Sequence, residues 1–381
     1  MKNYDVAVVR CRNYDGETVK PALEEAINAV NGLDFVKPGM KIIIKPNLVS
    51  FKKPDAAATT HPALLEALVE MLLARGADVT IGDSPGGPHS LPLLNRVYAA
   101  TGMEQLEKLG AKLNRNMNEK TVDFSEGKVL KNFTYTEYLD EADAIIDFCK
   151  LKSHGMLGMS AAVKNLFGTI PGLKKPEVHY KFQNDAEFAD MLVDLNEYFK
   201  PKLAICDAVV GMEGNGPTAG TPRQIGAIIA SKSTYYADVI GAELIGMNID
   251  GLPTLQAAYE RGFAPSSGKD LNVYGDIRPL IVDDFKAPPV RGLSFMRKGN
   301  LLHFVSKAAL EHKPMLKKRL CIGCGECARM CPAKAIEIRN KKPHINREKC
   351  IRCFCCQEFC PRAAMVVHRP LAAKVLNKLK L

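Results

Sequence analysis

A cysteine pattern that occurs twice near the C-terminus constrains this chain more than any other feature. The pattern Cys-x2-Cys-x2-Cys-x3-Cys-Pro begins at Cys321 and again at Cys350, so all four cysteines and the proline recur at an offset of 29 residues. A weaker similarity continues beyond the motifs, where Ala335 matches Ala364. The repeat indicates an internal duplication, in which each half supplies a metal-binding loop, a helical turn and a strand.

The spacing of these cysteines favours iron–sulfur chemistry. Three thiolates two residues apart can meet three irons of one cubane from a single tight loop, and the fourth cysteine of this spacing ligates the other cluster. We therefore predict two [4Fe–4S] clusters. The first takes Cys321, Cys324, Cys327 and Cys360, and the second takes Cys350, Cys353, Cys356 and Cys331. Residues 319–368 resemble bacterial two-cluster ferredoxins, which implies a small α+β domain.

Two alternatives concern the metal and its role. Structural zinc also uses Cys-x2-Cys pairs, but it gives no reason for the shared fourth cysteine or the following proline. The clusters act either as an electron relay or as structural centres, and two adjacent clusters favour the relay. Cys355 has no counterpart in the first half, where Glu326 stands, so we expect it to pack or to hydrogen-bond rather than to ligate.

Cysteines and positive charges are concentrated in the same part of the chain. Nine of the 12 cysteines lie between Cys321 and Cys360. From Arg291 to Leu381 there are 21 Lys and Arg against 5 Asp and Glu, a net charge of +16, which leaves −6 for residues 1–290. No apolar segment indicates export or a membrane span, so metal ligation is favoured over disulfides and we expect a cytoplasmic protein.

The basic segment suggests the kind of partner. Two oxidised clusters with their thiolates would add about −4. The surrounding Lys and Arg offset that charge and can attract an acidic redox partner protein. Nucleic-acid binding is the alternative, but neither a helix-turn-helix nor an aromatic stacking motif accompanies the charge.

Residues 1–285 alternate short apolar runs with segments of helical spacing. This alternation predicts an α/β domain with a largely parallel sheet and flanking helices. The predicted strands are Val6–Val9, Lys41–Lys45, Asp78–Gly82, Ala144–Cys149, Leu203–Asp207 and Ile225–Ala230. We expect a linker and basic helix at 286–318, with the helix over 300–319, then the ferredoxin-like domain at 319–368 and a basic tail at 369–381. The helix is either a connecting helix or a membrane-surface helix.

Polar residues follow four of the predicted strands, where open α/β sheets bind their ligands. The candidates for anion binding are Lys45, Asn47, Thr60 and Asp83. The candidates for catalysis are Lys152, His154, Lys164 and Asp207, with His154 as general acid or base. Lysines and a helix N-terminus suit a carboxylate or phosphate. A metal held by Asp83, Asp207, Glu213 or Asp238 with a histidine is the weaker alternative.

Several of these motifs together resemble a known family. Lys45-Pro-Asn, Gly82-Asp-Ser-Pro, Lys152-Ser-His154, Lys164-Asn-Leu-Phe-Gly168 and Asp207–Pro217 are similar to the family called domain of unknown function 362, over roughly residues 4–285. The C-terminal part resembles the version of that family fused to two [4Fe–4S] motifs. The resemblance implies that these loops form one site. It implies no reaction.

The sequence leads to three functional hypotheses. In the first, a two-cluster module relays electrons to or from an α/β domain that binds a small anionic substrate. In the second, the chain is a ferredoxin-like carrier or assembly factor whose α/β domain only docks a protein partner. In the third, the chain is a non-redox enzyme with structural clusters. No flavin or nicotinamide motif is convincing, so the identity of any second cofactor is left open.

Overall fold

The structure, a computed structural model, describes residues 4–287 and 312–368. Within these ranges the strands are β1 (Val6–Arg10), β2 (Lys41–Pro46), β3 (Asp78–Ile81), β4 (Lys112–Leu113), β5 (Glu119–Asp123), β6 (Asn132–Thr136), β7 (Ala144–His154), β8 (Gly158–Ser160), β9 (Leu203–Glu213), β10 (Thr221–Ser231), β11 (Val273–Tyr274), β12 (Lys313–Leu316), β13 (Ile336–Arg339), β14 (Lys342–Ile345) and β15 (Met365–His368).

The helices alternate with the strands of the larger part. They are α1 (Gly16–Ala29), α2 (Pro62–Leu73), α3 (Leu91–Thr101), α4 (Ala162–Asn165), α5 (Lys174–Lys181), α6 (Asp185–Phe199), α7 (Thr234–Leu244), α8 (Pro253–Glu260), α9 (Glu326–Arg329) and α10 (Cys355–Glu358). Short 3-10 segments connect several of them. None of these helices combines the length and the apolar character that crossing a membrane requires.

One sheet organises the larger part of the molecule. Its strands lie in the order β11-β1-β10-β9-β7-β2-β3-β4, and β8 pairs with the end of β7. The strands from β9 to β4 are parallel to one another, whereas β10 is antiparallel to both of its neighbours. Hydrophobic cores lie on the two faces of this sheet. The predicted α/β class with a largely parallel sheet is confirmed.

The central strands are buried along their whole length, which explains their sequences. All eleven residues of β7 are buried, as are the last five residues of β2. Strands covered on both faces read as continuous apolar runs. At their carboxyl ends, however, buried polar residues replace the apolar ones, and Lys45, Lys150 and Lys152 are each no more than 1% exposed.

Two strands that carry candidate residues extend further than the sequence suggested. We expected β7 to end at Cys149 and β9 at Asp207, but they reach His154 and Glu213. Pairing of β7 with both β9 and β8 extends the strand through residues whose polarity suggested a loop. The candidate residues Lys152 and His154 therefore lie on a strand held on both sides.

The C-terminal part repeats its backbone at the sequence offset of 29. Helix α9 matches α10, β12 matches β14 and β13 matches β15. The halves interlock, because β12 pairs with β15 and β13 pairs with β14. The left-handed backbone at Gly323 and Gly325 recurs at Arg352 and Phe354. The predicted internal duplication is therefore present in the fold.

Strand β12 corrects one expectation. The predicted basic helix over 300–319 lies largely outside the described residues, but Lys313–Leu316 is a strand. Its backbone pairs in antiparallel register with Met365–His368, and that pairing takes precedence over the helical spacing of its side chains. The domain boundaries themselves stay predictions.

Candidate functional site

A cavity of about 110 Å³ lies at the carboxyl edge of the parallel strands. Its wall contains residues that follow β2 and β3, residues of β7 and β8, residues of the segment from Lys164 to His179, and residues of the C-terminal part. The wall residues used below are Asn47, Asp83, Lys152, Lys164, Lys175, His179, Glu358, Phe359 and Cys360. Strand ends that are far apart in sequence therefore meet at one site, together with the cysteine-rich part.

A buried ion pair forms the floor of this site. Lys45 Nζ lies 2.8 Å from Asp83 Oδ1, and both side chains are almost fully buried. The other carboxylate oxygen of Asp83 accepts a hydrogen bond from the Leu48 N–H at 2.7 Å. Gly168 passes so close above the pair that an added Cβ would overlap Asp83 and Lys45. The glycine is needed for this close approach.

A hydrogen-bond network places Lys152 beside the pair. Lys152 Nζ donates to Asn47 Oδ1 and to the Ala58 carbonyl, both at 2.8 Å. Asn47 in turn donates from its side chain to Asn165 Oδ1 and from its backbone to Thr60 Oγ1, both at 2.9 Å. Thr60 is thus a positioning residue behind the wall, whereas Asn47 and Lys152 reach the cavity.

Asp147 stands beneath this network. Its Oδ1 accepts from Asn165 Nδ2, while its Oδ2 has no hydrogen-bond partner in the described part of the chain. Burial raises the pKa of this carboxyl to about 8, although the nearby Lys45 charge opposes the shift. This shift favours the protonated, neutral form of Asp147, which does not cancel the positive charge of the site.

Two lysines contribute amines that lack a carboxylate partner among the described residues. Lys175 donates to the carbonyls of Ser84 and Ile170, and burial lowers the pKa of its amine to about 7. Lys164 lies with its amine 5.6 Å from the centre of the Phe167 ring. Burial, reinforced by the charge of Lys164, likewise lowers the pKa of Lys152 to about 7.

His179 is a further wall residue, which the sequence analysis did not identify. It is 2% exposed and stacks on Phe188 with 4.3 Å between ring centres. Its Nδ1 has no hydrogen-bond partner within the described residues. Burial lowers the pKa of the ring to about 3, so His179 is neutral at physiological pH.

His154 contacts the C-terminal part rather than the cavity. Its Nδ1 accepts hydrogen bonds from the backbone N–H groups of Met156 and Leu157, so the network assigns the proton to Nε2. Nε2 lies 2.9 Å from Glu358 Oε1 and donates to it. Burial lowers the pKa of His154 to about 4. Although burial alone would raise the pKa of Glu358, the Lys164 charge and the His154 contact hold it well below its usual range.

Asp207 belongs to a separate buried cluster. Its carboxylate accepts hydrogen bonds from Lys150 Nζ, from the Tyr14 hydroxyl and from the His61 backbone, at 2.8, 2.8 and 3.0 Å. The Tyr14 ring stacks on His61. Asp207 therefore links β9 to the N-terminal strand region and is not among the residues that line the cavity.

Helix α10 of the C-terminal part docks against the α/β part, and we call Phe354, Gln357, Glu358 and Phe359 the docking residues. Phe354 and Val367 join the same hydrophobic core as residues of β7. Gln357 Nε2 donates to the carbonyls of Asn215 and Gly216 at 2.8 and 3.0 Å. The Thr218 hydroxyl donates to the Glu358 carbonyl at 3.1 Å.

Glycines of the α/β part allow this contact. A Cβ added at Gly86 would overlap the ring of Phe359. At Gly155 an added Cβ would lie 3.2 Å from Val367 and 3.4 Å from the Gln357 side chain. The C-terminal part therefore requires a residue without a side chain at Gly86.

The docking residues are the positions at which the internal repeat diverges. At the offset of 29, Phe354 corresponds to Gly325 and Gln357 to Ala328. Glu358 corresponds to Arg329, and Phe359 to Met330. The cysteines are kept in both halves because they serve the same purpose, whereas only the second half carries the docking residues. The sequence differences between the two halves of the repeat could therefore have indicated this interface.

The cysteines of the C-terminal part lie together in the two predicted sets. A small cavity is lined by all four cysteines of the first predicted set, including the distant Cys360. Cys331 in turn interacts electrostatically with Cys350 and Cys353. The sulfurs of Cys331 and Cys360 accept backbone hydrogen bonds from Ala335 and Ala364, both at 3.2 Å. Such bonds stabilise thiolate ligands.

Cys355 is buried and hydrogen-bonds with Cys353, in keeping with a packing role. In the described ranges no three His, Cys, Asp or Glu side chains converge as a single metal ion would require. The carboxylates named above as alternative metal ligands have other partners. Asp238, for example, accepts backbone hydrogen bonds from Ala162 and Val163.

The fold and the cysteine-rich part define an α/β protein fused to an iron–sulfur domain. The chain matches the 4Fe-4S dicluster domain over residues 313–361. It also matches the model described as "Domain of unknown function (DUF362)" over residues 42–243, more than half of its length. The chain belongs to the DUF362 family and carries an iron–sulfur domain at its C-terminal side.

Known proteins similar to this chain include a relative and two solved structures. "Thylakoid-associated protein sll1697" of Synechocystis sp. is 29% identical over 313 residues, which cover 78% of this chain and 94% of the relative. The lactate racemase apoprotein of Thermoanaerobacterium thermosaccharolyticum is 15% identical with a TM-score of 0.41, and a Thermotoga maritima protein is 13% identical with a TM-score of 0.34. The matches cover 64% and 60% of this chain, and they span 57% and 58% of those two structures.

Proposed function

We propose that this protein is an iron–sulfur electron-transfer protein with two [4Fe–4S] clusters, in which the clusters exchange electrons with a small anionic substrate bound in the cavity. When bound, such clusters supply one-electron redox chemistry. The observation that carries the proposal is the position of Cys360. This predicted ligand of the first cluster stands on the wall of the same cavity as Lys152, Lys164 and Lys175.

The docked arrangement supports an oxidoreductase over a mobile carrier. Phe354 is 2% exposed and Gln357 is fully buried, both at the contact with the α/β part. A carrier that shuttles between partners must expose its clusters to each of them. Here the second cysteine repeat is instead packed against the α/β part through the docking residues. The α/β part supplies the cavity with positive charge from Lys152, Lys164 and Lys175, which suits an anionic ligand.

We propose that electrons from a partner enter at the exposed side of the first cysteine repeat. Cys324 is exposed, and Ile322 and Leu320 are 62% and 41% exposed. Lys317, Lys318 and Arg319 lie beside them on the surface. An acidic redox partner protein would match this combination of apolar centre and basic surroundings. We keep a cytoplasmic location as part of the proposal.

The proposal is tested by counting electrons under anaerobic conditions. Coulometric reduction of the full-length holoprotein should take up about two electrons reversibly, one for each cluster. Cys324→Ala and Cys353→Ala should each take up about one, with an unchanged circular dichroism spectrum. A holoprotein that holds about eight irons and takes up no electrons would overturn the relay and favour structural clusters.

A further inference from the structure

The cavity wall carries more positive charge than its own carboxylates balance. Lys152 and Lys175 are bonded only to neutral oxygens, those of Asn47 and Ala58 for Lys152 and of Ser84 and Ile170 for Lys175. The amine of Lys164 lies over the Phe167 ring, and its charge lowers the pKa of Glu358. Buried amines without a carboxylate are costly unless an anion joins them.

The acidic residues of the wall are already engaged elsewhere. Asp83 forms the ion pair with Lys45 and accepts the Leu48 N–H. Glu358 accepts from His154, which is neutral, and its carboxylate therefore balances one of the three amines at most. At least two positive charges are left for a ligand when the three amines are protonated.

His179 gives a second, independent indication of a ligand. Its Nδ1 is a buried polar atom without a partner within the described chain, and the residue lines the same cavity. Buried polar atoms are almost always hydrogen-bonded, so an unpaired ring nitrogen in a residue that lines the cavity is consistent with a ligand there. A neutral imidazole can donate one hydrogen bond to an anion oxygen.

The volume admits an organic ligand. The cavity measures about 110 Å³, well above the roughly 10–15 Å³ that a single water needs. A single halide would leave most of the space empty.

We propose that the cavity binds a compact dianion, such as a small dicarboxylate, through Lys152, Lys164 and Lys175 with a hydrogen bond to His179. This inference rests on the proposed function only where it connects the bound anion to the cluster that Cys360 ligates. Binding of the dianion itself does not depend on electron transfer. Two carboxylate groups at the ends of a short chain would place four oxygens among three amines and one imidazole.

The test is isothermal titration calorimetry of the full-length holoprotein with oxalate, and with formate as the monovalent comparison. We expect oxalate to bind at least tenfold more tightly than formate. Lys164→Gln should weaken oxalate about tenfold or more, the usual effect of losing one charged hydrogen bond. Lys202→Gln is the matched control, because Lys202 is exposed at the amino end of β9, at the opposite edge of the sheet.

Each outcome separates this inference from the proposed function. Oxalate binding that is weakened by Lys164→Gln and not by Lys202→Gln supports the inference, even if the clusters take up no electrons. Absence of oxalate binding by a holoprotein that takes up two electrons overturns it and leaves the electron relay standing. Equal affinity for oxalate and formate also overturns it, because the site would then recognise a single charge.

Discussion

At the scale of single residues, the sequence predicted several residues of the cavity wall, including Lys164, and missed Lys175 and His179. Lys45, Asn47, Asp83 and Lys152 follow or end parallel strands, and the rule that ligands bind at that edge brings them together. Lys175 and His179 sit on α5, whose position over the sheet edge depends on tertiary packing. A periodic pattern contains no information about where a short helix returns to the sheet.

Two residues that we expected to be catalytic, Asp207 and His154, have contacts that differ from this expectation. Asp207 holds Lys150 and Tyr14 in a cluster apart from the cavity, and His154 is bonded at both ring nitrogens. Their catalytic roles stay predictions, and the structure favours positioning roles for both. Sequence alone could not distinguish these roles because the partners are 193 and 204 residues away.

The crossed ligation of the clusters leads to a first prediction. Cys331→Ala should abolish the same electron paramagnetic resonance signal as Cys350→Ala, while Cys360→Ala should abolish the signal that Cys321→Ala abolishes. The reason is that each fourth cysteine interacts with the three cysteines of the other half. Cys355→Ser is the control and should keep about eight irons. Loss of the same signal in Cys331→Ala and Cys321→Ala would contradict crossed ligation.

A second prediction concerns the close contact at Gly168. Gly168→Ala should lower the free energy of unfolding by about 1–3 kcal/mol, because its Cβ would displace the buried Lys45–Asp83 pair. Gly16→Ala is the control, since no atom lies within 4 Å of a Cβ at that position. Urea unfolding of both variants measures the effect. Equal stabilities for the two variants would show that the pair tolerates the added methyl group.

A third prediction follows from the buried amines. The pKa values of Lys152 and Lys175 are lowered to about 7, so both amines gain protons below pH 7 and lose them above it. The charged groups that face them include Lys164, Glu358, Asp83, Lys45 and Lys150. Oxalate, which stays a dianion throughout, should therefore bind progressively more weakly from pH 6 to pH 8.5. Calorimetry at each pH measures this, and an affinity that rises with pH would contradict the assignment.

At the scale of elements, the repeat explains both a success and a failure of the sequence analysis. The helices and strands of the two halves follow the offset of 29, as expected from the cysteines. Strand β12 was nevertheless expected to be part of a helix. Its Lys313-Pro314 recurs as Lys342-Pro343 in β14, a signal that extends the repeat upstream of the first cysteine. We predicted a helix because the helical spacing of the longer basic segment was a stronger pattern than this two-residue match.

A fourth prediction belongs to helix α10. Replacing Gln357 with Ala and Phe359 with Met introduces the first-half residues and should weaken docking without loss of iron. Loss of the Gln357 bonds to Asn215 and Gly216 should cost about 1–3 kcal/mol. Amide hydrogen exchange of residues 214–218 should accelerate by about tenfold or more.

The control for the docking prediction lies in the first half of the repeat. Arg329→Gln changes the exposed counterpart of Glu358 and should leave exchange at residues 214–218 unchanged. If the double variant exchanged at the same rate as the wild type, Gln357 and Phe359 would not hold the two parts together.

At the scale of the whole molecule, the fold class and the fusion of two parts were predictable, but their relation was not. The alternating apolar runs predicted the parallel strands, and the cysteine pattern predicted the second domain. Contact between them depends on Gly86 and Gly155 on one side and the docking residues on the other. These residues follow no periodic pattern in either part, so only the folded chain reveals that the cavity and Cys360 share a wall.

The measurement that tests this shared wall most directly is a redox titration followed by electron paramagnetic resonance, on the wild type, Lys164→Gln and Lys202→Gln. We predict reversible reduction of two clusters in all three proteins. In Lys164→Gln the midpoint potential of the Cys360-linked cluster should fall, because a positive charge that stabilises the reduced form has been removed from its cavity. Clusters that cannot be reduced reversibly, or equal potentials in the two variants, would contradict the account.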